Sequence, residues 1–260
     1  MTEPAVVFRP GSPVGEIVLN RPRVLNAMNM AWVEDLARAA REAAAAEEAH
    51  VVVVRGAGRA FCAGLDLTMT GDGGMPSDFY PRQEAGFTAL EAMKKLVIAQ
   101  IHGHCIGGGV QLAIACDLRI AREDATFSIP APTEGLFPGM AVWRLPRFIG
   151  LGRAIRFAIS GETVDALEAQ RIGLVDYVCP VEGFEEAASA ITARYTKVSR
   201  SAAGAAKKMM RRAFERDFDA VYSESLPLLE ANRSSEEVMT ASVNFARRRS
   251  LRKIDKEPSE

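Results

Sequence analysis

The chain has 260 residues, a length that suits one large domain or a domain with an appendage. Its 32 basic and 33 acidic residues nearly cancel, which argues against non-specific nucleic-acid binding. No apolar run reaches the roughly 18 residues of a membrane span, and the first ten residues do not resemble a signal peptide. The four cysteines lack metal or redox spacing, so we expect a cytoplasmic protein with no metal or redox cofactor.

The first half of the chain predicts an alternation of buried strands and helices. The apolar run at 50–56 is typical of a strand covered on both faces, and Asn29 is a candidate cap for the helix that precedes it. Repetition of the unit strand, loop, helix, strand predicts a parallel sheet with right-handed crossovers. The predicted strands are 5–8, 15–20, 50–56, 97–101, 117–121 and 125–129, the helices are 30–49, 81–96 and 110–116, and 68–78 is a polar loop.

The second half becomes progressively more helical. Residues 131–150 predict a Pro/Gly-rich loop that leads into a short helix, and 174–180 predict one more strand. We expect the helical block at the end to pack on a neighbouring subunit or to cover a site. The other predicted helices are 151–161, 163–173, 182–198, 201–215, 218–232 and 235–249.

Two glycine-rich loops leave buried strands, and each could offer a backbone amide. One reads GAGRAFCAGLDL over 56–67, and the other runs through three glycines at 107–109 into an apolar helix. Glycines allow a close approach to the backbone, and a helix N-terminus favours negative charge. Two amides that point at one position would form an oxyanion hole.

With these loops in place, the chain resembles the crotonase superfamily, also called the enoyl-CoA hydratase/isomerase family. The segments that carry the resemblance are LNRPRVLNAM, GRAFCAGLDL, HGHCIGGGVQLAIACDLRIA, RLPRFIG and SGETVDALEAQRIGLVDYV, which span most of residues 5–250. The resemblance implies an α/β fold, a crotonase-like spiral of ββα units with a C-terminal helical trimerisation region. It implies a spiral core at 1–198 with the acyl-CoA site, a helical region at 199–260 for oligomerisation and for covering the site, and a homotrimer or dimer of trimers.

The resemblance also implies roles for individual residues. The amides of Leu65 and Gly108 would hold the thioester oxygen of an acyl-CoA substrate, so that coenzyme A is part of the substrate and no separate cofactor is needed. The family pattern implies a CoA-binding set made of Arg23, Ala27, Ala63, Asp66 and Leu67, with Arg247 and Arg248 as weaker candidates.

The sequence departs from the family where the catalytic acids are expected. The two glutamate positions of the hydratases hold Gln111 and Ala131, and the aspartate position of some isomerases and dehalogenases holds Gly139. An amide can orient a water molecule but cannot transfer a proton near pH 7. Glu134, one helical turn after Ala131, is the predicted replacement base, because burial in its apolar loop would strengthen it. Weaker proton-transfer candidates are His102, His104, Asp78, Tyr80 and Glu84.

Three functions remain open from the sequence. The first is an enoyl-CoA hydratase/isomerase type enzyme, with isomerisation favoured over hydration because a single base can remove and return one proton. The local sequence around the glycine triplet is similar to dienoyl-CoA isomerases, although their acids are also missing here. The second is a non-catalytic acyl-CoA-binding protein, and the third is a CoA-ester hydrolase or C–C lyase.

Overall fold

The structure is a computed structural model that describes residues 3–70, 75–233, 238 and 240. The chain divides into two compact units, residues 1–197 and 198–260. Most of the helix predicted at 235–249, together with Arg247 and Arg248, lies outside the described residues, as does part of the loop predicted at 68–78. Within the described residues, no helix is long and apolar enough to cross a membrane.

The first unit is built on a six-stranded sheet with the order β1-β2-β3-β4-β6-β9. Only the β1–β2 pair is antiparallel, and the remaining neighbours are parallel. The central strand β3 is wholly apolar over its first four residues because both faces of the sheet are covered. The strands are β1 Val6–Arg9, β2 Val14–Leu19, β3 Val51–Gly56, β4 Leu96–Ile101, β6 Leu118–Arg122 and β9 Tyr177–Cys179.

A second sheet consists of three short strands, which lie in the sequence between strands of the first sheet. Its strands are β5 His104–Ile106, β7 Thr126–Ser128 and β8 Val164–Asp165. β5 pairs with β7 in parallel, and β7 pairs with β8 antiparallel. Strand β5 was not predicted from the sequence, in which the strand at 97–101 is followed by the glycine triplet. The chain turns at Gly103, forms β5, and only then reaches the glycines.

Each of the nine α-helices in the described residues matches a predicted helix, but their ends differ from the predicted ones. Helix α1 begins after Asn29, whose side chain accepts a hydrogen bond from the Trp32 amide at 3.0 Å, as predicted for an N-cap. Helix α2 begins two residues earlier than predicted and ends at Ala92, since Leu96 belongs to β4. The helices of the first unit are α1 Met30–Ala45, α2 Phe79–Ala92, α3 Gly108–Ala115, α4 Ala141–Ile149, α5 Leu151–Ser160, α6 Ala166–Ile172 and α7 Phe184–Tyr195.

The described part of the second unit contains the helices α8 Arg200–Arg212 and α9 Phe218–Arg233. Glu224 of α9 pairs with Lys208 of α8 at 3.1 Å and also with Arg212. Several large apolar side chains of this unit are exposed, namely Met210, Phe214, Phe218, Tyr222, Leu226 and Leu229. The oligomerisation and site-covering roles of residues 199–260 stay predictions.

The loop between β2 and α1 is held by the fully buried Asn26. Its backbone is left-handed, with φ of 59°, a conformation that asparagine tolerates better than most residues. Its side chain donates to the carbonyl oxygens of Ala57 and Ala60 at 2.9 and 2.8 Å and accepts from the Arg21 amide at 2.8 Å. Asn26 therefore ties this loop to the glycine loop that follows β3.

Replacing Asn26 by alanine should lower the free energy of unfolding by about 3 kcal/mol, because buried backbone groups lose their partners. Urea unfolding measures the change. The matched control is Asn20→Ala, since among the described residues the Asn20 side-chain amide makes only exposed hydrogen bonds, to Glu3 and Pro4. A loss within about 0.5 kcal/mol for both variants would contradict the assigned role of Asn26.

Candidate functional site

The loop that follows β3 is paired with the backbone around Met28. The Met28 amide donates to the Gly64 carbonyl at 2.7 Å, and the Asp66 amide donates to the Met28 carbonyl at 2.9 Å. These two bonds form a short parallel bridge between Met28 and Leu65. Gly64 adopts a φ of 86°, which glycine reaches without a steric cost. The Gly64–Leu65 peptide is therefore held in one orientation.

The second glycine loop brings the N-terminus of α3 against the first. The Gly107 amide donates to the Ser128 carbonyl at 2.8 Å, and Gly108 is the first residue of the helix. A Cβ on Gly64 would lie 3.2 Å from the Gly108 nitrogen, and one on Gly109 would lie 2.3 Å from the Cys62 oxygen. Both glycines are thus required by the close approach of the two backbones.

The amides of Leu65 and Gly108 share one cavity. Within the described residues, neither amide donates a hydrogen bond to another protein group. The cavity has a volume of about 140 Å³. Its lining is mostly apolar, and the polar side chains in it are those of Tyr80, Gln83, Gln111 and Glu134. Among the described residues, Glu134 is therefore the one carboxylate that lines this cavity.

Gln111 lies one turn into α3 and is only 7 % exposed. Its carboxamide oxygen is buried and has no hydrogen-bond partner within the described residues. A Cβ on Gly139 would lie 2.8 Å from that oxygen, so the space in front of the amide depends on this glycine. Two of the empty acidic positions, 111 and 139, are thus neighbours in space. An unpaired buried acceptor can receive a hydrogen bond from a water molecule or a ligand.

Glu134 and Ala131 lie at the two ends of one 3₁₀ turn, Ala131–Glu134, and both line the cavity. The predicted burial of Glu134 is wrong, because the carboxylate is exposed. The turn ends at the left-handed Gly135, and Phe137 beyond it is also exposed, at 69 %.

Glu84 is unavailable as a proton donor because it is paired with Arg144. The buried Arg144 side chain contacts both Glu84 and Glu91, and its Nε lies 2.8 Å from a Glu91 oxygen. The carboxylates outweigh the burial that acts on Arg144, so its pKa is raised. Arg144 is thus the partner of two residues on α2. Asp78 is paired with Arg82 at 2.7 Å, and Tyr80 alone of the α2 candidates remains at the cavity.

His102 and His104 do not line the cavity. His104 is hydrogen-bonded to the Thr126 hydroxyl at 3.0 Å, and His102 to the Gly58 carbonyl at 2.9 Å. None of the four cysteines forms a disulfide and all are buried, and burial raises the pKa of the Cys62 thiol to about 12. A nucleophilic cysteine is therefore disfavoured. The described residues contain no group of three His, Cys, Asp or Glu side chains that could hold a metal ion.

The residues implied for CoA binding do not all line one cavity. Ala63 and Leu67 line the cavity that contains the two amides, and Ala27 is buried. Arg23 is exposed and lines a second cavity of about 430 Å³ together with Arg21.

The Asp66 side chain makes contacts that the sequence analysis missed. Its carboxylate accepts hydrogen bonds from the Thr68 hydroxyl at 2.6 Å and from Arg21 at 2.9 Å. Burial acts to raise the pKa of Asp66, but these two partners outweigh it and lower the pKa overall. Arg21 and Gln83 were not singled out from the sequence, because no local motif shows which side chains meet across more than 40 residues.

Comparison with known proteins shows the family of the chain. Residues 10–252 match the model of the enoyl-CoA hydratase/isomerase family. The chain belongs to this family. It is 35 % identical over 216 residues to a probable enoyl-CoA hydratase of Mycobacterium tuberculosis, which covers 83 % of this chain and 84 % of that protein.

Two further members of the family mark the range of chemistry. A peroxisomal Δ3,5-Δ2,4-dienoyl-CoA isomerase of Arabidopsis thaliana is 34 % identical, over 64 % of this chain and 66 % of its own length. A Thermobifida fusca protein of the enoyl-CoA hydratase type, solved in complex with acetoacetyl-CoA, superposes with a TM-score of 0.80 at 28 % identity, over 88 % of this chain and 94 % of its own. The family therefore contains both hydratases and isomerases with this fold, and the crotonase-like fold predicted from the sequence is confirmed.

Replacing Gly109 by alanine should lower the melting temperature, because the new methyl group would meet the Cys62 carbonyl at 2.3 Å. Overpacking of this kind costs about 1–3 kcal/mol. The control is Gly152→Ala, at the same second position of helix α5, where nothing lies within 4 Å. Thermal unfolding by circular dichroism should show the Gly152 variant unchanged or slightly more stable. Equal melting temperatures for the two variants would show that the two loops do not depend on the glycine.

Proposed function

We propose that the protein is an acyl-CoA enzyme of the hydratase/isomerase type that stabilises a thioester enolate between the amides of Leu65 and Gly108. The observation that carries the proposal is that both amides line one cavity and lack other hydrogen-bond partners within the described residues. Gly108 stands at the N-terminus of α3, where the helix dipole adds a positive partial charge. Removal of one such donor typically lowers turnover by about 100- to 1000-fold.

Glu134 is the proposed base. It removes a proton from the acyl chain as negative charge develops on the thioester oxygen, and it returns the proton to another carbon. This sequence of steps is a double-bond isomerisation and needs a single carboxylate. Hydration requires a second group that activates water. The amide of Gln111 can orient a water molecule but cannot take its proton. We therefore favour isomerisation over hydration.

The proposed CoA-binding set is Arg23, Ala27, Ala63, Asp66 and Leu67. Ala63 and Leu67 adjoin the acyl cavity, which supports a path for the pantetheine arm along this loop. The exposed Arg23 could contact a CoA phosphate. Asp66 would contribute through its backbone, because its carboxylate is paired with Arg21. The proposed oligomer is a trimer or a dimer of trimers, and the exposed apolar side chains of α8 and α9 support self-association.

A non-catalytic acyl-CoA-binding protein is the second candidate. The observation in its favour is the lining of the cavity, in which the positions of both hydratase glutamates hold an amide and a methyl group. Such a cavity would bind an acyl-CoA without moving a proton. Nothing in the described residues favours the CoA-ester hydrolase or C–C lyase over these two.

Glu134→Gln should lower turnover of 3-enoyl-CoA by about 100-fold or more while leaving acyl-CoA affinity nearly unchanged, since only proton transfer is lost. Turnover is followed by spectrophotometry and affinity by calorimetry. The control Glu182→Gln changes an exposed carboxylate outside the cavity and should retain activity. Full turnover by the Glu134 variant would exclude this residue as the base. Binding without turnover in the unaltered protein would favour the binding-protein candidate.

The variant Gln111→Glu combined with Ala131→Glu should gain hydratase activity toward 2-enoyl-CoA by at least about tenfold, because it supplies two carboxylates in the cavity wall. The absence of a side chain at Gly139 leaves room beside residue 111. Product formation by liquid chromatography measures the gain, and the single variants serve as controls. No gain in a folded double variant that still binds acyl-CoA would show that the missing carboxylates do not limit hydration.

A further inference from the structure

Arg21 is a charged side chain beside the site that the proposed mechanism does not use. Its Nη1 donates to the Ala27 carbonyl and also to Asp66 Oδ2, the latter at 2.9 Å. The side chains of Arg21 and Asp66 are 21 % and 10 % exposed. At this degree of burial, solvent screens the guanidinium less than it screens a fully exposed charge.

Two peptide units connect this guanidinium to the cavity. The first unit joins Ala27 to Met28, and its carbonyl accepts from Arg21 while its N–H donates to Gly64 O at 2.7 Å. The second unit joins Gly64 to Leu65, and its carbonyl accepts that bond. In a trans peptide the N–H points away from the C=O, so the Leu65 N–H is directed away from Met28. Leu65 lines the cavity, where its N–H has no protein acceptor among the described residues.

Hydrogen bonds in series polarise one another, and a charged donor at one end strengthens the chain. Arg21 supplies a positive charge at the start of this chain, and the Leu65 N–H is its last donor. Each peptide unit is also fixed at its carbonyl, which limits rotation of the terminal N–H. The charge at Arg21 thus acts on the cavity without touching the ligand.

The Arg21 side chain is itself held from several directions. Its backbone amide donates to Asn26 Oδ1 at 2.8 Å, and its partner Asp66 is fixed by the Thr68 hydroxyl and amide at 2.6 and 3.2 Å. The Asp66 amide donates to the Met28 carbonyl at 2.9 Å, so that both residues next to Leu65 are hydrogen-bonded to Met28 through their backbones. A guanidinium bridging two acceptors in a fixed geometry is a role that lysine fills less well.

We infer that Arg21 is a positioning residue that orients and polarises the Leu65 amide through the Ala27–Met28 and Gly64–Leu65 peptides. The inference rests on the proposed function, because it assigns Leu65 as a donor to the thioester oxygen. Loss of Arg21 should weaken that donor without removing any atom that contacts the acyl group. Turnover should then fall on the order of tenfold, a fraction of the loss expected when a donor is removed entirely, with KM changed much less than kcat.

The test uses butyryl-CoA labelled with ¹³C at the thioester carbonyl, a saturated ligand that is not turned over. Polarisation by the two amides should move the carbonyl resonance of the bound ligand downfield from its position in free solution. In Arg21→Gln, which keeps an N–H donor but loses the charge, the bound resonance should return part of the way. In Arg21→Lys the return should be smaller. The control is Arg122→Gln, because Arg122 is similarly exposed at 27 % and paired with Asp124.

Each outcome decides one point. A wild-type resonance position in a folded Arg21→Gln variant, or an equal shift in the Arg122 control, would overturn the inference while leaving the proposed function intact. Failure of butyryl-CoA to bind the unaltered protein, or binding with no downfield shift, would instead overturn the proposed function. If Arg21→Gln does not fold, Arg21→Lys carries the test, and an unchanged resonance in that variant also overturns the inference.

Discussion

The site depends on the direct contact of two backbone segments, one that follows strand β3 and one that follows strand β5 of the second sheet. Gly64 and Gly109 allow this contact, because a methyl group on either would fall within 3 Å of a carbonyl oxygen of the other segment. Two side-chain donors could not be held beside one cavity as rigidly as these two backbone amides, since each rotatable bond of a side chain adds conformational freedom that must be lost on binding. The parallel bridge between Cys62 and Cys105 sets the two segments side by side, and the glycines allow them to approach closely.

The cavity that results is almost free of charge. Arg144 pairs with Glu84 and Glu91, so two carboxylates of α2 are held away from the acyl space, while Tyr80 and Gln83 of the same helix line it. Gln111 and Ala131 contribute no charge from the facing side. Glu134 is the one charged side chain that lines this cavity among the described residues, and the rest of the lining is uncharged and mostly apolar, so few other groups compete with the two amides there.

The sequence predicts the fold well because its signals are local and repeated. The apolar run at the start of strand β3, the N-cap Asn29 and the glycine loops each have a clear pattern, and together they indicate the crossovers of the sheet. Other features depend on distant partners and leave no local signal. The three-residue strand β5 is recognisable only through its pairing with β7, and the exposure of Glu134 depends on where the chain runs after Gly135. The pairing of Arg144 with α2 likewise joins residues more than 50 positions apart.

Arg21 shows why the residues that matter at such a site extend beyond those that contact the ligand. It follows β2 directly, far from the glycine loops in sequence, and its side chain does not line the acyl cavity. Yet three sets of contacts join the loop between β2 and α1 to the loop that follows β3. They are the Met28–Leu65 bridge, the Arg21–Asp66 pair and the Asn26 hydrogen bonds. A change at any of these residues alters where a peptide N–H points, and at a distance of about 3 Å a small rotation weakens a hydrogen bond steeply. The segment between β2 and α1 is therefore best understood as part of the site's support, which holds the Leu65 amide in place.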